Sequence, residues 1–117
     1  MLKRILGVFG KRPAVIRGAG KLEEGQARKV MLGDPVAGTG CNVVMCRVEG
    51  RLYALDDACP HEGGRISEGP LVDGKFAVCP LHMYQFDPRS GKAVNASCRN
   101  ARTYRVREVD GDCEIWV

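Results

Sequence analysis

Two short motifs constrain the fold of this chain more than any other feature of its sequence. The only two histidines each follow a Cys-Pro pair, in Cys59-Pro60-His61 and in Cys79-Pro80-Leu81-His82. Each motif offers one soft thiolate and one imidazole, which are ligands that iron-sulfur clusters and zinc accept in proteins. Neither motif completes a four-ligand site by itself. The sequence therefore predicts a fold in which two separate loops meet at one metal centre.

Two other interpretations account for the same residues. The motifs can be coincidences of composition, in which case the histidines are ordinary surface or core residues. A structural zinc ion is the second alternative, because zinc accepts two thiolates and two imidazoles in a tetrahedron. Zinc sites usually pair Cys with Cys and His with His at short range, whereas each motif here mixes the two. The mixed spacing favours an iron-sulfur cluster over zinc.

Length and cysteine content predict one domain in a reducing compartment. A chain of 117 residues is long enough to bury a core without covalent staples. Four of its six cysteines lie outside the motifs and show no tight disulfide framework: Cys41, Cys46, Cys98 and Cys113. The apolar run at residues 5–9 is too short for a signal peptide, and no stretch is long enough for a transmembrane helix. We expect a cytoplasmic protein with no transmembrane segment.

Basic charge is concentrated in residues 1–12, which contain four of the 18 Lys and Arg residues and none of the 14 Asp and Glu residues. Residues 13–117 are therefore formally neutral. Because they also lack interleaved basic and aromatic residues, we expect no nucleic-acid binding. We expect residues 1–12 to be a basic N-terminal segment that is frayed or packed on the body, because Gly7 and Gly10 weaken a helix this short. Contact with a membrane surface or a partner through an apolar helical face is the less favoured alternative.

Short apolar runs separated by glycine-containing dipeptides dominate after residue 13, a pattern typical of a small all-β domain. Four dipeptides predict tight hairpin turns: Glu49-Gly50, Asp73-Gly74, Ser90-Gly91 and Asp110-Gly111. The strands joined by these turns are predicted at residues 43–48 and 51–55, 71–72 and 76–78, 85–87 and 92–94, and 103–109 and 113–117. Both metal-binding motifs fall in turn-rich loops that follow strands.

The two motifs resemble those of the Rieske family, in which Cys-x-His and Cys-x-x-His loops hold a 2Fe-2S cluster with both thiolates on one iron and both imidazoles on the other. The resemblance implies an all-β, Rieske-type antiparallel β-sandwich or barrel over residues 13–117. It also implies a small cluster-binding subdomain formed by two loops, at about residues 57–66 and 77–88. One 2Fe-2S cluster would be bound by Cys59, His61, Cys79 and His82.

Several positions differ from the high-potential Rieske proteins of respiratory complexes. Those proteins carry a Ser two residues and a Tyr four residues after the second histidine, where this chain has Tyr84 and Phe86. They also carry an extra cysteine in each loop, where this chain has Gly64 and Leu81. With fewer hydroxyl donors to the cluster, we expect a potential at the low end of the Rieske range of about -150 to +300 mV.

The second motif, Phe86-Asp87 and Thr103-Tyr104 are similar to the soluble Rieske-type ferredoxins. That similarity implies a carrier that passes one electron from a flavin-dependent reductase to a terminal oxygenase. Catalysis by the chain itself is not expected, because a mononuclear iron site needs further histidines and both are already assigned.

Two features fit the ferredoxins less well. Family ferredoxins usually have Gly after the second histidine, where this chain has Met83. Residues 98–104 are more similar to the small Rieske-type subunit of assimilatory NAD(P)H nitrite reductase. A role as a subunit of that enzyme is therefore the alternative to the carrier.

Overall fold

A computed structural model of the protein describes residues 12–33, 40–60 and 63–117. Strands lie at Ala14–Ile16 (β1), Gln26–Leu32 (β2), Cys41–Val48 (β3), Arg51–Asp56 (β4), Gly69–Pro70 (β5), Ala77–Cys79 (β6), Tyr84–Phe86 (β7), Thr103–Val109 (β8) and Asp112–Trp116 (β9). One turn of 3-10 helix lies at Ala19–Lys21. The prediction of an all-β fold is confirmed. All of the predicted N-terminal segment except Arg12 lies outside the described residues, and so does His61.

Seven strands form one curled antiparallel sheet in the order β1-β9-β8-β4-β3-β2-β5, while β6 and β7 form a separate two-stranded hairpin. The order places the hairpin partners β3 and β4, and β8 and β9, next to each other in the sheet. Within the described ranges, no helix is long and apolar enough to cross a membrane.

Two of the four predicted hairpins are confirmed, with strand ends within two residues of the prediction. Glu49 and Gly50 have φ angles of 50° and 81°, and Asp110 and Gly111 have φ angles of 48° and 84°. Positive φ at both central residues defines the type I′ turn, whose twist matches that of the flanking strands. Local turn chemistry was therefore sufficient to predict these two hairpins.

The other two predicted hairpins are reduced to single bridges. Val72 pairs with Phe76, and Phe86 pairs with Ala93, but neither contact extends into a ladder. Residues 92–94 lie along one edge of β7, while β6 pairs with its other edge across the second metal-binding motif. The sequence did not predict that pairing, because residues 80–83 contain no turn dipeptide of the usual kind.

Apolar side chains form two cores, and strand β3 contributes to both. Val44, Cys46 and Val48 of that strand face the first core, while Val43 and Met45 face the second. The second core also contains Cys113 and Ile115, with the partly buried Tyr104 and Val106 of β8 packed against it. The first core extends away from the sheet toward the two metal-binding motifs.

Candidate metal centre

The two motif cysteines lie in the same apolar core. Cys59 follows β4 and is 4% exposed, whereas Cys79 is the last residue of β6 and is 1% exposed. Both belong to the first core, together with Ile66 and Phe86. The four cysteines outside the motifs, Cys41, Cys46, Cys98 and Cys113, are free thiols. Two cysteine sulfurs from two different loops are thus buried in one apolar core.

The first loop, residues 57–66, is closed by main-chain hydrogen bonds between its two ends. The N–H of Cys59 donates to the carbonyl of Gly64 at 2.8 Å, and the N–H of Ile66 donates to the carbonyl of Asp57 at 2.7 Å. A bridge between Ala58 and Arg65 lies between these two bonds. The closed base fixes the position of Cys59 relative to the rest of the loop.

Asp57 is a buried carboxylate that joins the base of this loop to the sheet. Its oxygens lie 3.0 Å from Nη1 of Arg65 and 3.5 Å from Nζ of Lys29 in β2. Because a buried carboxylate needs charged or hydrogen-bonding partners, the two cations account for its burial. A role for Asp57 was not predicted from the sequence. The only signal for it was the pair of acidic residues at the end of a predicted strand.

The neighbouring Asp56 ties the same loop to β8. Its Oδ2 accepts a hydrogen bond from the hydroxyl of Tyr104 at 2.7 Å, and its Oδ1 accepts one from the N–H of Ala58 at 2.8 Å. Burial is the main cause that raises the pKa of Tyr104, and the hydrogen bond to Asp56 raises it further. Tyr104 therefore stays a neutral donor over the physiological pH range. The start of the first loop is therefore attached to β2 through Asp57 and to β8 through Asp56.

The second loop is the turn between β6 and β7. Cys79 pairs with Tyr84 across the hairpin, so residues 80–83 form the connection and carry His82. His82 is exposed, and its ring centroid lies 6.1 Å from that of Tyr84. Two exposed apolar side chains flank it, Leu81 at 51% and Met83 at 58%. The hairpin therefore places a thiol in the core and an imidazole at the surface within four residues.

The two loops meet at Gly64. A Cβ atom on this residue would lie 3.2 Å from Cβ of Leu81 and still closer to the sulfur of Cys79. The position of Gly64 in the first loop thus abuts both Leu81 and Cys79 of the second. The predicted meeting of two loops is realised in the structure at this contact.

Only part of the predicted ligand set falls within the described residues. Cys59, Cys79 and His82 are described, whereas His61 is not. Among the side chains of residues 12–33, 40–60 and 63–117, no three of His, Cys, Asp and Glu are grouped closely enough to hold one metal ion. The full set of four ligands therefore stays a prediction. Its donor chemistry, two buried thiols and an exposed imidazole, fits a 2Fe-2S cluster that has thiolates at one end and imidazoles at the other.

The cysteines outside the motifs have different surroundings. Cys46 and Cys113 are fully buried. Burial raises the pKa of Cys46 to about 12 and also raises the pKa of Cys113. Because the thiolate is the form that binds metals, these two neutral thiols are poor ligands. Cys98 packs against the first core as a partly buried side chain.

Comparison with known proteins identifies the family. The model of the Rieske [2Fe-2S] domain matches residues 13–109. The chain is 36% identical over 98 residues to the 3-phenylpropionate/cinnamic acid dioxygenase ferredoxin subunit of Photorhabdus laumondii, covering 83% of this chain and 87% of that protein. It is 41% identical over 69 residues to the ferredoxin component of the naphthalene 1,2-dioxygenase system of Pseudomonas putida, covering 58% of this chain and 65% of that protein.

The fold is similar to that of a solved ferredoxin. The ferredoxin of carbazole 1,9a-dioxygenase from Nocardioides aromaticivorans superimposes with a TM-score of 0.72 at 21% identity, covering 91% of this chain and 98% of that one. This likeness supports the architecture. The match to the family model over most of the sequence shows that the chain belongs to the Rieske [2Fe-2S] domain family, whose cofactor is a Rieske-type 2Fe-2S cluster.

Proposed function

We propose that this chain is a one-electron carrier that accepts an electron from a flavin-dependent reductase and passes it to a terminal oxygenase. In this proposal, Cys59 and Cys79 bind one iron of the cluster, and His61 and His82 bind the other. The relatives described above are ferredoxin components of dioxygenase systems, which supports a carrier over an enzyme. The main structural support for the proposal is the β6–β7 hairpin, in which Cys79 is buried and His82 is exposed.

This arrangement suits electron transfer because it gives the site an inner and an outer end. When bound, the cluster supplies one-electron redox chemistry at a potential that two neutral imidazoles raise above that of a four-cysteine cluster. The apolar core around Cys59 and Cys79 excludes water from the sulfur end. An exposed imidazole of His82 leaves the other end within reach of a partner.

The surface around His82 has the composition of a transient docking site. Leu81, His82 and Met83, which we name the histidine tip, are consecutive and all exposed. Exposed apolar side chains beside a polar centre are typical of surfaces that contact another protein. We propose that the terminal oxygenase contacts the histidine tip.

The proposal includes the division of the chain and its location. Residues 13–117 are the cluster-binding domain, with cluster-binding loops at residues 57–66 and 77–88, and residues 1–12 are a separate basic segment. The match of the family model to residues 13–109 supports this boundary. The free thiols outside the motifs support a reducing cytoplasm.

Anaerobic purification of the full chain tests the cofactor and the role together. We expect a red-brown protein with equal amounts of iron and acid-labile sulfide, and an EPR spectrum of a reduced 2Fe-2S cluster after dithionite. A carrier elutes as a small protein, whereas a nitrite reductase subunit co-purifies with a larger sirohaem enzyme from its native host. A colourless protein with stoichiometric zinc would contradict the proposal.

The docking site is tested by a matched pair of methionine variants. Met83 in the histidine tip is 58% exposed and Met31 in β2 is 59% exposed, so Met→Gln removes a similar apolar surface at each. We expect Met83→Gln to slow electron transfer to a terminal oxygenase from the same organism by about fivefold, the effect of ~1 kcal/mol at an interface. Met31→Gln should leave the stopped-flow rate unchanged. Equal rates for both variants would contradict docking at the tip.

A further inference from the structure

Met83 has an unusual backbone conformation for its residue type. Its φ angle is 58°, in the left-handed region that side chains with a Cβ disfavour. Among the described residues, the other non-glycine positions with positive φ are each followed by glycine in a turn: Glu49, Asp73 and Asp110. Met83 instead follows His82 at the end of the second loop and precedes β7. Its conformation therefore needs support from elsewhere in the fold.

The side chain of Asn95 supplies that support. Its Nδ2 donates a hydrogen bond to the carbonyl of Met83 at 3.0 Å, and its Oδ1 accepts one from the N–H of Gln85 at 2.8 Å. The two bonds define the orientation of the amide, since a flipped amide would set N–H against N–H and oxygen against oxygen. The Asn95 side chain thus forms hydrogen bonds with the main chain on both sides of Tyr84.

The position of Asn95 follows from the way the outer edge of β7 is covered. Residues 92–94 run beside this edge, with a bridge between Phe86 and Ala93 and a bond from the N–H of Val94 to the carbonyl of Gln85 at 2.9 Å. The Asn95 side chain continues the hydrogen bonding as far as Met83. The side chain of Asn95 thus makes the hydrogen bonds that the main chain of a longer paired strand would make to β7.

We propose that Asn95 is a positioning residue that sets the direction of His82 by holding Met83 in its left-handed conformation. The φ angle of Met83 determines the direction in which the chain leaves His82 to enter β7. Because β7 is paired to β6 through Tyr84 and Cys79, this angle sets the placement of the imidazole relative to the buried sulfur. The proposal rests on the assignment of His82 as a cluster ligand under the proposed function.

The test uses Asn95→Ala, with Asn100→Ala as the matched control. Asn100 is an exposed residue of the following loop that makes no side-chain hydrogen bond within the described part of the chain. The measurements on cluster-loaded protein are the EPR line shape after reduction and the rate of cluster loss to an iron chelator. We expect broadened EPR lines and about fivefold faster cluster loss for Asn95→Ala, because the substitution removes the exposed hydrogen bonds to Met83 and Gln85. Asn100→Ala should match the unsubstituted protein in both.

A double-mutant cycle shows whether Asn95 acts through Met83. Glycine adopts a positive φ without the Cβ penalty, so Asn95→Ala should have a smaller effect in the Met83→Gly background. Equal effects in the two backgrounds would refute the proposed route through Met83. Unchanged EPR line shape in Asn95→Ala, with or without a change in thermal stability, would overturn the positioning role. If the unsubstituted protein shows no 2Fe-2S spectrum, the proposed function itself fails.

Discussion

Gly64 of the first loop lies directly against Cys79 of the second, because a Cβ atom on Gly64 would stand 2.5 Å from the Cys79 sulfur. Real Cβ atoms do not approach other heavy atoms so closely, so this position has no room for a side chain. Gly63 differs in kind: its φ angle is 71°, and open space surrounds its Cβ direction. Adjacent glycines therefore serve two purposes, close approach at Gly64 and backbone conformation at Gly63.

Substitution of these two glycines separates the two effects. Gly64→Ala should lower the iron content per chain and destabilise the folded protein by about 1–3 kcal/mol, because the methyl group overpacks the sulfur of Cys79. Gly63→Ala should cost about 1 kcal/mol of backbone strain and retain the cluster. Iron analysis and thermal unfolding measure both. A fully loaded Gly64→Ala protein would show that the two loops are farther apart in the cluster-bound protein.

The ligand assignment predicts a sharp contrast among the cysteines of the first core. Cys59→Ser and Cys79→Ser should each abolish the normal 2Fe-2S spectrum and reduce stability, since metal binding and folding are linked. Cys98 packs against the same core, which makes Cys98→Ser a matched control that should keep the cluster. Optical and EPR spectra of the purified variants decide the matter. Loss of the cluster in Cys98→Ser would overturn the assignment of the thiolates.

The midpoint potential of the cluster should be low, roughly -150 mV near neutral pH. The reason is that Phe86, fully buried in the same core as Cys59 and Cys79, has no hydroxyl to donate toward a cluster sulfur. Phe86→Tyr should raise the midpoint by roughly 50 mV, the electrochemical equivalent of a hydrogen bond of ~1 kcal/mol, if the new hydroxyl reaches a sulfur.

Phe76, a half-buried residue of the turn before β6, provides the matched control for the potential measurement. Phe76→Tyr adds the same hydroxyl outside the core and should not move the midpoint in a redox titration. A midpoint above about +100 mV in the unsubstituted protein, high within the Rieske range, would contradict the hydrogen-bond argument.

Stability should fall in alkali because of a buried thiol. Burial raises the pKa of Cys46 from an ordinary 9.0 to about 12, so the unfolded chain releases this proton at a lower pH than the folded one. Ionisation of Cys46 leaves the free energy of unfolding unchanged below pH 9. Between pH 9 and 12 that free energy should fall by about 1.4 kcal/mol per pH unit. Shifts of the same sign at Cys113 and Tyr104 add to the loss.

Denaturant unfolding between pH 8 and about 10.5, within the window where the unfolded thiol ionises, measures this alkaline loss. Cys46→Ala should be less stable at neutral pH because it leaves a cavity, but its stability should decline less steeply above pH 9. Identical slopes for the two proteins would show that ionisation of Cys46 does not contribute.

Features with local causes were predictable from the sequence. The Glu49-Gly50 and Asp110-Gly111 hairpins formed as predicted, because a glycine-containing dipeptide between two apolar runs is itself the signal for a tight turn with positive φ angles. The two Cys-His motifs identified the family and the chemistry of the site, because ligand type and spacing depend only on neighbouring residues.

Features that depend on contacts between distant segments required the tertiary structure. Three contacts have no local sequence signature. They are the pairing of β6 with β7, the burial of Asp57 between Lys29 and Arg65, and the hydrogen bond from Asn95 to Met83. The two adjacent glycines also look alike in the sequence, but only the fold shows that Gly63 has a positive φ angle and that Cys79 lies against Gly64. Turn propensity and ligand chemistry act over a few residues, whereas burial and close approach are set by whichever part of the chain the fold brings alongside.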